Sequence, residues 1–113
     1  MSAAGLRVDN LCCIIDRNFM QVEGHTDKVM PMEPVADKWT AFGWRTMTVD
    51  GHSIAALGDA LDVARDTRGQ PVCIIADTVP GKGVPGFEGR LSHMTALSAE
   101  QATAALAALE DAR

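Results

Sequence analysis

Apolar residues along this chain alternate between short unbroken runs and helical stripes. Leu11-Cys12-Cys13-Ile14-Ile15 is an unbroken run, the pattern of a strand covered on both faces. It gives way abruptly to "DRNFMQVEGHTDKV", residues 16 to 29, which reads as a loop reaching to Met32. Pro34 suits the first turn of a helix. Val35, Trp39 and Phe42 follow at i, i+4 and i+7, one apolar stripe that Gly43 ends. "WRTMTV", residues 44 to 49, reads as a second strand, and Asp50-Gly51-His52 as a turn. Ser53 is placed to cap a helix in which Ile54, Leu57, Leu61 and Ala64 recur at helical spacing, closed by Gly69. "PVCIIADTV", residues 71 to 79, is the third strand. A loop rich in glycine and proline runs from residue 80 to 97. Ser98 with Gln101 three residues on forms a capping-box pattern. The helix it opens has Ala102, Ala105, Leu106 and Leu109 as its inner face.

Three strand–helix pairs in succession predict an α/β fold: a parallel sheet with right-handed crossovers and helices on both faces, three layers in one domain over residues 1–113. Ligands of such sheets bind in the crevice at the carboxyl ends of the strands. Asn18 lies just past the first strand; the Gly81-Lys82-Gly83 turn and His93 lie past the third. An amide, a glycine turn and an imidazole are therefore expected on one rim. A carboxamide oxygen is a hard neutral ligand suited to Mg²⁺. The plainer role for Asn18 is to tolerate a turn conformation.

Composition narrows the classes. Hydrophobic residues make up 47% and charged residues 22%, ordinary for a globular domain. The net charge of −5 offers no basic surface for nucleic acid or an anionic membrane. No apolar run approaches the roughly 20 residues of a spanning helix, and "MSAAGLRVDN" lacks the apolar core of a signal peptide, so a cytoplasmic protein is expected. Cys12, Cys13 and Cys73 all lie in apolar runs and read as buried, reduced thiols.

The strings "VDNLCCIIDRNFMQVEG", "ADKWTAFGWRTMTVDGHS" and "CIIADTVPGKGVP" resemble, in order and spacing, the thiamine-diphosphate-binding domain of transketolases. The likeness runs from about Leu6 to Leu97. It implies thiamine diphosphate and Mg²⁺ as cofactors, and transfer of a two-carbon ketol unit from a ketose phosphate to an aldose phosphate. Carried over residue by residue, Asn18 would bind Mg²⁺ through its side chain and Met20 through its backbone carbonyl. Gly81 and Gly83 would belong to the loop that closes over the diphosphate. His93 would touch the diphosphate and substrate as the catalytic histidine.

Two departures stand out. Phe19 occupies a position where the family usually has glycine. The family's Gly-Asp-Gly, whose Asp is the principal metal ligand, has no counterpart in the 17 residues before Asn18, and Gly58-Asp59-Ala60 lies inside a helical stripe. The chain thus resembles the C-terminal half of one cofactor-binding domain, and its first strand has nothing to cover its upstream side. A missing segment, or a second subunit carrying the pyrimidine domain, is the expected partner, in an oligomer acting on a sugar phosphate and inactive as the single chain. A non-catalytic remnant or interaction subunit is the alternative. Deoxyxylulose phosphate synthase shares parts of the same pattern.

Overall fold

Val72-Cys73-Ile74-Ile75-Ala76 is the most deeply buried stretch of the chain. In the computed structural model, which describes residues 1–111, it forms most of the central strand of a three-stranded parallel sheet. The strands are β1 (Cys12–Arg17), β2 (Met20–Gln21), β3 (Gly24–His25), β4 (Arg45–Asp50) and β5 (Val72–Asp77). The helices are α1 (Ser2–Gly5), α2 (Thr26–Val29), α3 (Val35–Ala41), α4 (Ile54–Asp66) and α5 (Ala99–Asp111). The sheet order is β1-β5-β4, both pairings parallel, with Cys13 and Thr46 flanking Cys73 and Ile15 and Thr48 flanking Ile75. The chain packs as two units. The first holds residues 1–17 and 30–78, which include this sheet; the second holds residues 18–29 with the described residues from 79 onward.

Alternation along β5 sends Cys73 and Ile75 to one face of the sheet and Val72 and Ile74 to the other. On the first face they pack with Val35 and Trp44, flanked by Cys13, Ile15 and Trp39. Trp39 and Trp44 meet edge to face, ring centroids 4.7 Å apart, a favourable aromatic geometry. On the second face Val72 and Ile74 pack with Ala60 and Ala64 of α4, joined by Met47 and Val49 of β4. The expected α/β sheet with helices on both faces is present.

The first strand is not covered on both faces. β1 alternates exposed and half-buried residues, and Ile14 is 53% exposed. It is an edge strand, and α4 packs over β5 and β4, so Cys12 and Ile14 on that face stay bare. The cysteine reading changes with it: Cys73 is buried, Cys13 half-buried and Cys12 exposed.

Three helix faces follow the apolar spacing only in part: Val35, Ala64 and Ala105 are buried as expected, and their larger companions are not. Pro34 is the N-cap of α3, one residue before its first turn, and Phe42 is its C-cap and half exposed. In α4 the small Ala60 and Ala64 face the sheet, while Ile54 and Leu61 look outward. In α5 Ala105 is the buried residue and Leu106 and Leu109 are exposed. Alanine permits close approach to a neighbour, so it takes the inner face wherever the packing distance is short. Two caps behave as expected. Ser53 Oγ accepts from the Ala56 amide at 3.2 Å. Ser98 and Gln101 exchange reciprocal bonds at 3.2 and 2.9 Å.

The carboxyl ends of β1 and β5 are clamped. Arg17 and Asp77 are register partners, and the guanidinium donates two bonds to the Asp77 carboxylate, the Nη2–Oδ2 one at 2.7 Å. Glu33 takes a further bond from Arg17 Nη1 at 3.3 Å. This fork-to-carboxylate geometry is the strong form of an ion pair, and hydrogen bonding to Asp77 holds Arg17 even more firmly protonated than usual. Alongside, the Thr78 hydroxyl donates to Asp16. Gly51 is required by close approach: a Cβ there would stand 2.5 Å from the Thr78 methyl and 2.9 Å from the Asp77 carbonyl oxygen.

Burial predicts unequal responses to equal substitutions. Ile75→Ala should cost about 2–5 kcal/mol and Ile14→Ala much less, because only the first leaves a cavity. Urea unfolding followed by tryptophan fluorescence measures both, and equal losses would contradict this packing. Burial also pushes the Cys73 thiol up to about 12. The unfolded chain releases that proton first as pH rises, so the contribution to stability is complete at neutral pH. It declines from the ordinary thiol range up to about 12. At pH 8 iodoacetamide should label Cys12 and reach Cys73 only after denaturation; peptide mapping distinguishes the two.

Candidate functional site

"NFMQVEGHT", residues 18 to 26, folds as a tight hairpin rather than a plain loop. Met20 pairs with His25 and Gln21 with Gly24, antiparallel. Phe19 continues the ladder through its carbonyl, which accepts from the Thr26 amide at 2.9 Å and the Thr26 hydroxyl at 3.3 Å. Asn18 Oδ1 accepts the Met20 amide at 2.9 Å, an Asx turn of the kind asparagine favours.

The ladder decides where the remaining oxygens point. In an antiparallel pair, the N–H and C=O of one residue face the partner strand, and those of the next face away. Phe19 faces Thr26, so the Met20 N–H and C=O face outward, which is why the Met20 amide meets Asn18 and not β3. The Met20 carbonyl and the Asn18 carboxamide therefore share the outer edge of the hairpin. A carboxamide oxygen has two lone pairs, and the Met20 amide uses one of them.

These two oxygens form a neutral donor pair of the type Mg²⁺ accepts. Among the described residues no group of three or more His, Cys, Asp or Glu side chains converges to hold a metal. The pair fits the neutral portion of a Mg²⁺ coordination shell, not the whole of it.

Asn18, Met20 and His93 line one pocket of about 340 Å³ within the second unit, with Gln21, Val22, Pro80, Arg90, Leu91 and Ser92. Three residues more than seventy positions apart at the extremes are thus brought together. Gly81 and Gly83 belong to the adjoining loop and do not line this pocket. That loop is closed on itself. Lys82 Nζ lies 2.9 Å from Glu88 Oε1, the Gly83 amide donates to Glu88 Oε2 at 3.1 Å, and the Gly89 amide donates to the Pro80 carbonyl at 2.8 Å. The Arg90 guanidinium donates to the Gly86 carbonyl at 2.9 Å. Gly81 has φ +67, and a Cβ there would stand 2.7 Å from the Phe87 carbonyl oxygen. Gln21, Arg90 and Ser92 were not among the residues expected from sequence. Arg90 stands three positions before His93 in "GRLSHM", and that spacing was the available signal.

A parallel sheet with helices on both faces in one unit, and an asparagine-bearing hairpin with a glycine loop carrying a histidine in the other, define an α/β protein with a candidate ligand pocket. The family follows from comparison. The chain matches the transketolase thiamine diphosphate binding domain over residues 1–110 and belongs to that family. It is 41% identical over 111 residues to the 6-deoxy-6-sulfo-D-fructose transketolase subunit SqwG of Clostridium sp. (strain MSTE9), covering 97% of this chain and 40% of that protein. It is 37% identical over 89 residues to an apulose-4-phosphate transketolase subunit of Phocaeicola vulgatus, 79% of this chain and 32% of that one. A crystal structure of transketolase from Campylobacter jejuni superposes with a TM-score of 0.75 at 28% identity, over 80% of this chain and 14% of that chain. The chain spans well under half the length of these relatives.

The loop geometry yields a local prediction. Gly86 has φ +77 but open space around it, so Gly86→Ala meets only backbone strain, about 1–2 kcal/mol. Gly81→Ala meets the same strain and the Phe87 carbonyl as well. Amide exchange at Gly83 and Gly89 should accelerate more in Gly81→Ala than in Gly86→Ala; equal acceleration would mean that Phe87 yields freely.

Proposed function

We propose that this chain is one part of a transketolase-type enzyme that moves a two-carbon ketol unit between sugar phosphates with thiamine diphosphate and Mg²⁺. The observation that carries the reading is the shared pocket of Asn18, Met20 and His93, in a chain of the thiamine diphosphate binding family. Bound thiamine diphosphate would supply an electron sink for cleaving and forming the carbon–carbon bond. Asn18 Oδ1 and the Met20 carbonyl would hold Mg²⁺ and, through it, the diphosphate. The loop of Gly81 and Gly83, braced by Glu88, would border the diphosphate. His93, exposed at the pocket wall, would bind a phosphoryl or hydroxyl oxygen and exchange a proton with it, since an imidazole carries both a donor and an acceptor nitrogen.

A second segment or subunit would complete the enzyme, carrying the pyrimidine domain and a charged metal ligand. The bare face of β1 supports this. Strands of parallel sheets are ordinarily covered on both faces, yet Ile14 is solvent-facing and the outer edge of β1 is unpaired within the described sheet. An exposed apolar edge strand is prone to pairing with another chain. Relatives named as transketolase subunits fit the same division. Their names carry a sulfo-sugar and a sugar phosphate, so the substrate class is an anionic ketose. Cytoplasmic residence agrees with reduced thiols.

The test is reconstitution with a subunit carrying the pyrimidine domain. Calorimetry should show Mg²⁺-dependent binding of thiamine diphosphate to the complex, and weak or no binding to the chain alone, because Mg²⁺ dehydrates reluctantly onto neutral ligands. Asn18→Ala should weaken that binding, whereas His93→Ala should cut kcat/KM by about ten- to a thousandfold with cofactor affinity nearly kept. Mg²⁺-dependent affinity unchanged in Asn18→Ala would remove the metal role, and a complex with no ketol transfer would leave a non-catalytic interaction subunit.

A further inference from the structure

Phe19 has φ +58, a left-handed conformation that a bulky L-residue enters only when its surroundings over-determine it. Three hydrogen bonds do so: Asn18 Oδ1 to the Met20 amide across it, and the Thr26 amide and hydroxyl to its own carbonyl. The ring is 42% exposed, so burial alone does not fix the backbone. In an Asx turn the asparagine side chain replaces the first carbonyl of a β-turn, and the next residue takes a place that several turn types reserve for positive φ. The left-handed step at residue 19 lets the chain leave Asn18, close the turn through Met20 and enter the ladder with the Phe19 carbonyl aimed at Thr26. Were residue 19 extended, Asn18 Oδ1 would lose the Met20 amide, and the alternation that turns the Met20 carbonyl outward would lose its anchor.

We infer that Phe19 is a positioning residue: its left-handed backbone, and not its ring, sets the Asn18 carboxamide oxygen and the Met20 carbonyl on one outer edge. The inference rests on the reading of that edge as the neutral part of a Mg²⁺ site. It assigns the position to backbone geometry, so residues that enter the left-handed region readily should serve there and a β-branched residue should not.

The full chain carrying Phe19→Gly, Phe19→Asn or Phe19→Val tests this without catalysis. Two readouts are taken by NMR: amide exchange at Met20 and Thr26, and paramagnetic broadening of the amides of residues 18 to 20 by millimolar Mn²⁺ standing in for Mg²⁺. Phe19→Gly and Phe19→Asn should keep Met20 and Thr26 protection within about threefold of the natural chain, and Phe19→Val should lose about tenfold or more, with Ile74 in β5 as protected as before. Mn²⁺ broadening should persist in the first two and fade in the third. Loss of protection in Phe19→Gly equal to that in Phe19→Val would make the ring the device and overturn the inference; full protection in Phe19→Val would overturn it as well. If Mn²⁺ broadens nothing in the natural chain, the neutral edge holds no cation without the subunit that completes it, and the exchange pattern alone decides whether residue 19 holds the edge.

Discussion

β5 is the constraint on which the sheet depends. Its residues from Val72 to Ala76 are buried on both faces, and its two edges bind β1 and β4 in parallel register. A parallel pair cannot be closed by a short hairpin, so each partner strand must reach β5 through a crossover. α4 is the crossover between β4 and β5, and its Ala60 and Ala64 lie on Val72 and Ile74. α3 leads into β4 from the opposite face, where Val35 and Trp44 meet Cys73 and Ile75. One strand thus sorts the apolar residues of the first unit into two clusters. At its carboxyl end Asp77 takes the Arg17 fork, and the Asp77 carbonyl accepts the Gly51 amide at 2.8 Å. The ends of all three strands are therefore tied to one residue.

The order and type of β1, β4, β5 and of α3, α4 and α5 were legible because the apolar runs and the caps agreed; α1 and α2, four residues each, left no such signal. Ser53, Gly43 and the Ser98–Gln101 box punctuate the helices where their chemistry says they should. Facing was less legible. A continuous apolar run such as Leu11 to Ile15 reads the same for a central strand and for an edge strand whose second cover is absent from the described residues. Only sheet order distinguishes them. Ile54, Leu61 and Leu106 misdirect for a related reason: large apolar residues dominate a spacing argument, while contact distance selects alanine for the inner face. The hairpin of residues 18 to 26 was hidden because its ladder is two pairs long: Met20-Gln21-Val22-Glu23 alternates, but only at the shortest length that suggests a strand, and its second half is the turn.

Within the candidate site, the residue types were visible and their hydrogen bonds were not. Asn18 and His93 stand out in sequence, but the outward turn of the Met20 carbonyl follows only once the Phe19–Thr26 bond fixes the ladder. The glycine loop shows the opposite situation. Gly81 and Gly83 were placed in a diphosphate loop by family resemblance, yet the Gly83 amide is engaged by Glu88, five residues along. A glycine turn that spends its amide on its own loop is a shaped border first, and any role toward a diphosphate has to work through that shape.

The two units differ in how they hold themselves together, and that bears on function. The first relies on burial around β5, where the packing leaves little freedom. The second relies on short hydrogen-bonded turns: the Asx turn at Asn18, the Phe19–Thr26 ladder, the Glu88 brace and the Ser98–Gln101 box. Burial gives rigidity without direction, whereas hydrogen-bonded turns aim particular atoms. The roles proposed for the oxygen edge and the imidazole would need such aim, because Mg²⁺ demands near-octahedral geometry and a proton moves only across a short gap. A loop aimed by hydrogen bonds is also the part of a protein that opens at least cost, and it gains most when a bound anion or cation completes it. The bare face of β1 lies in the unit built on burial; in the proposed function, the neutral oxygen edge of the unit built on hydrogen bonds is where a cation would add the next directed contact.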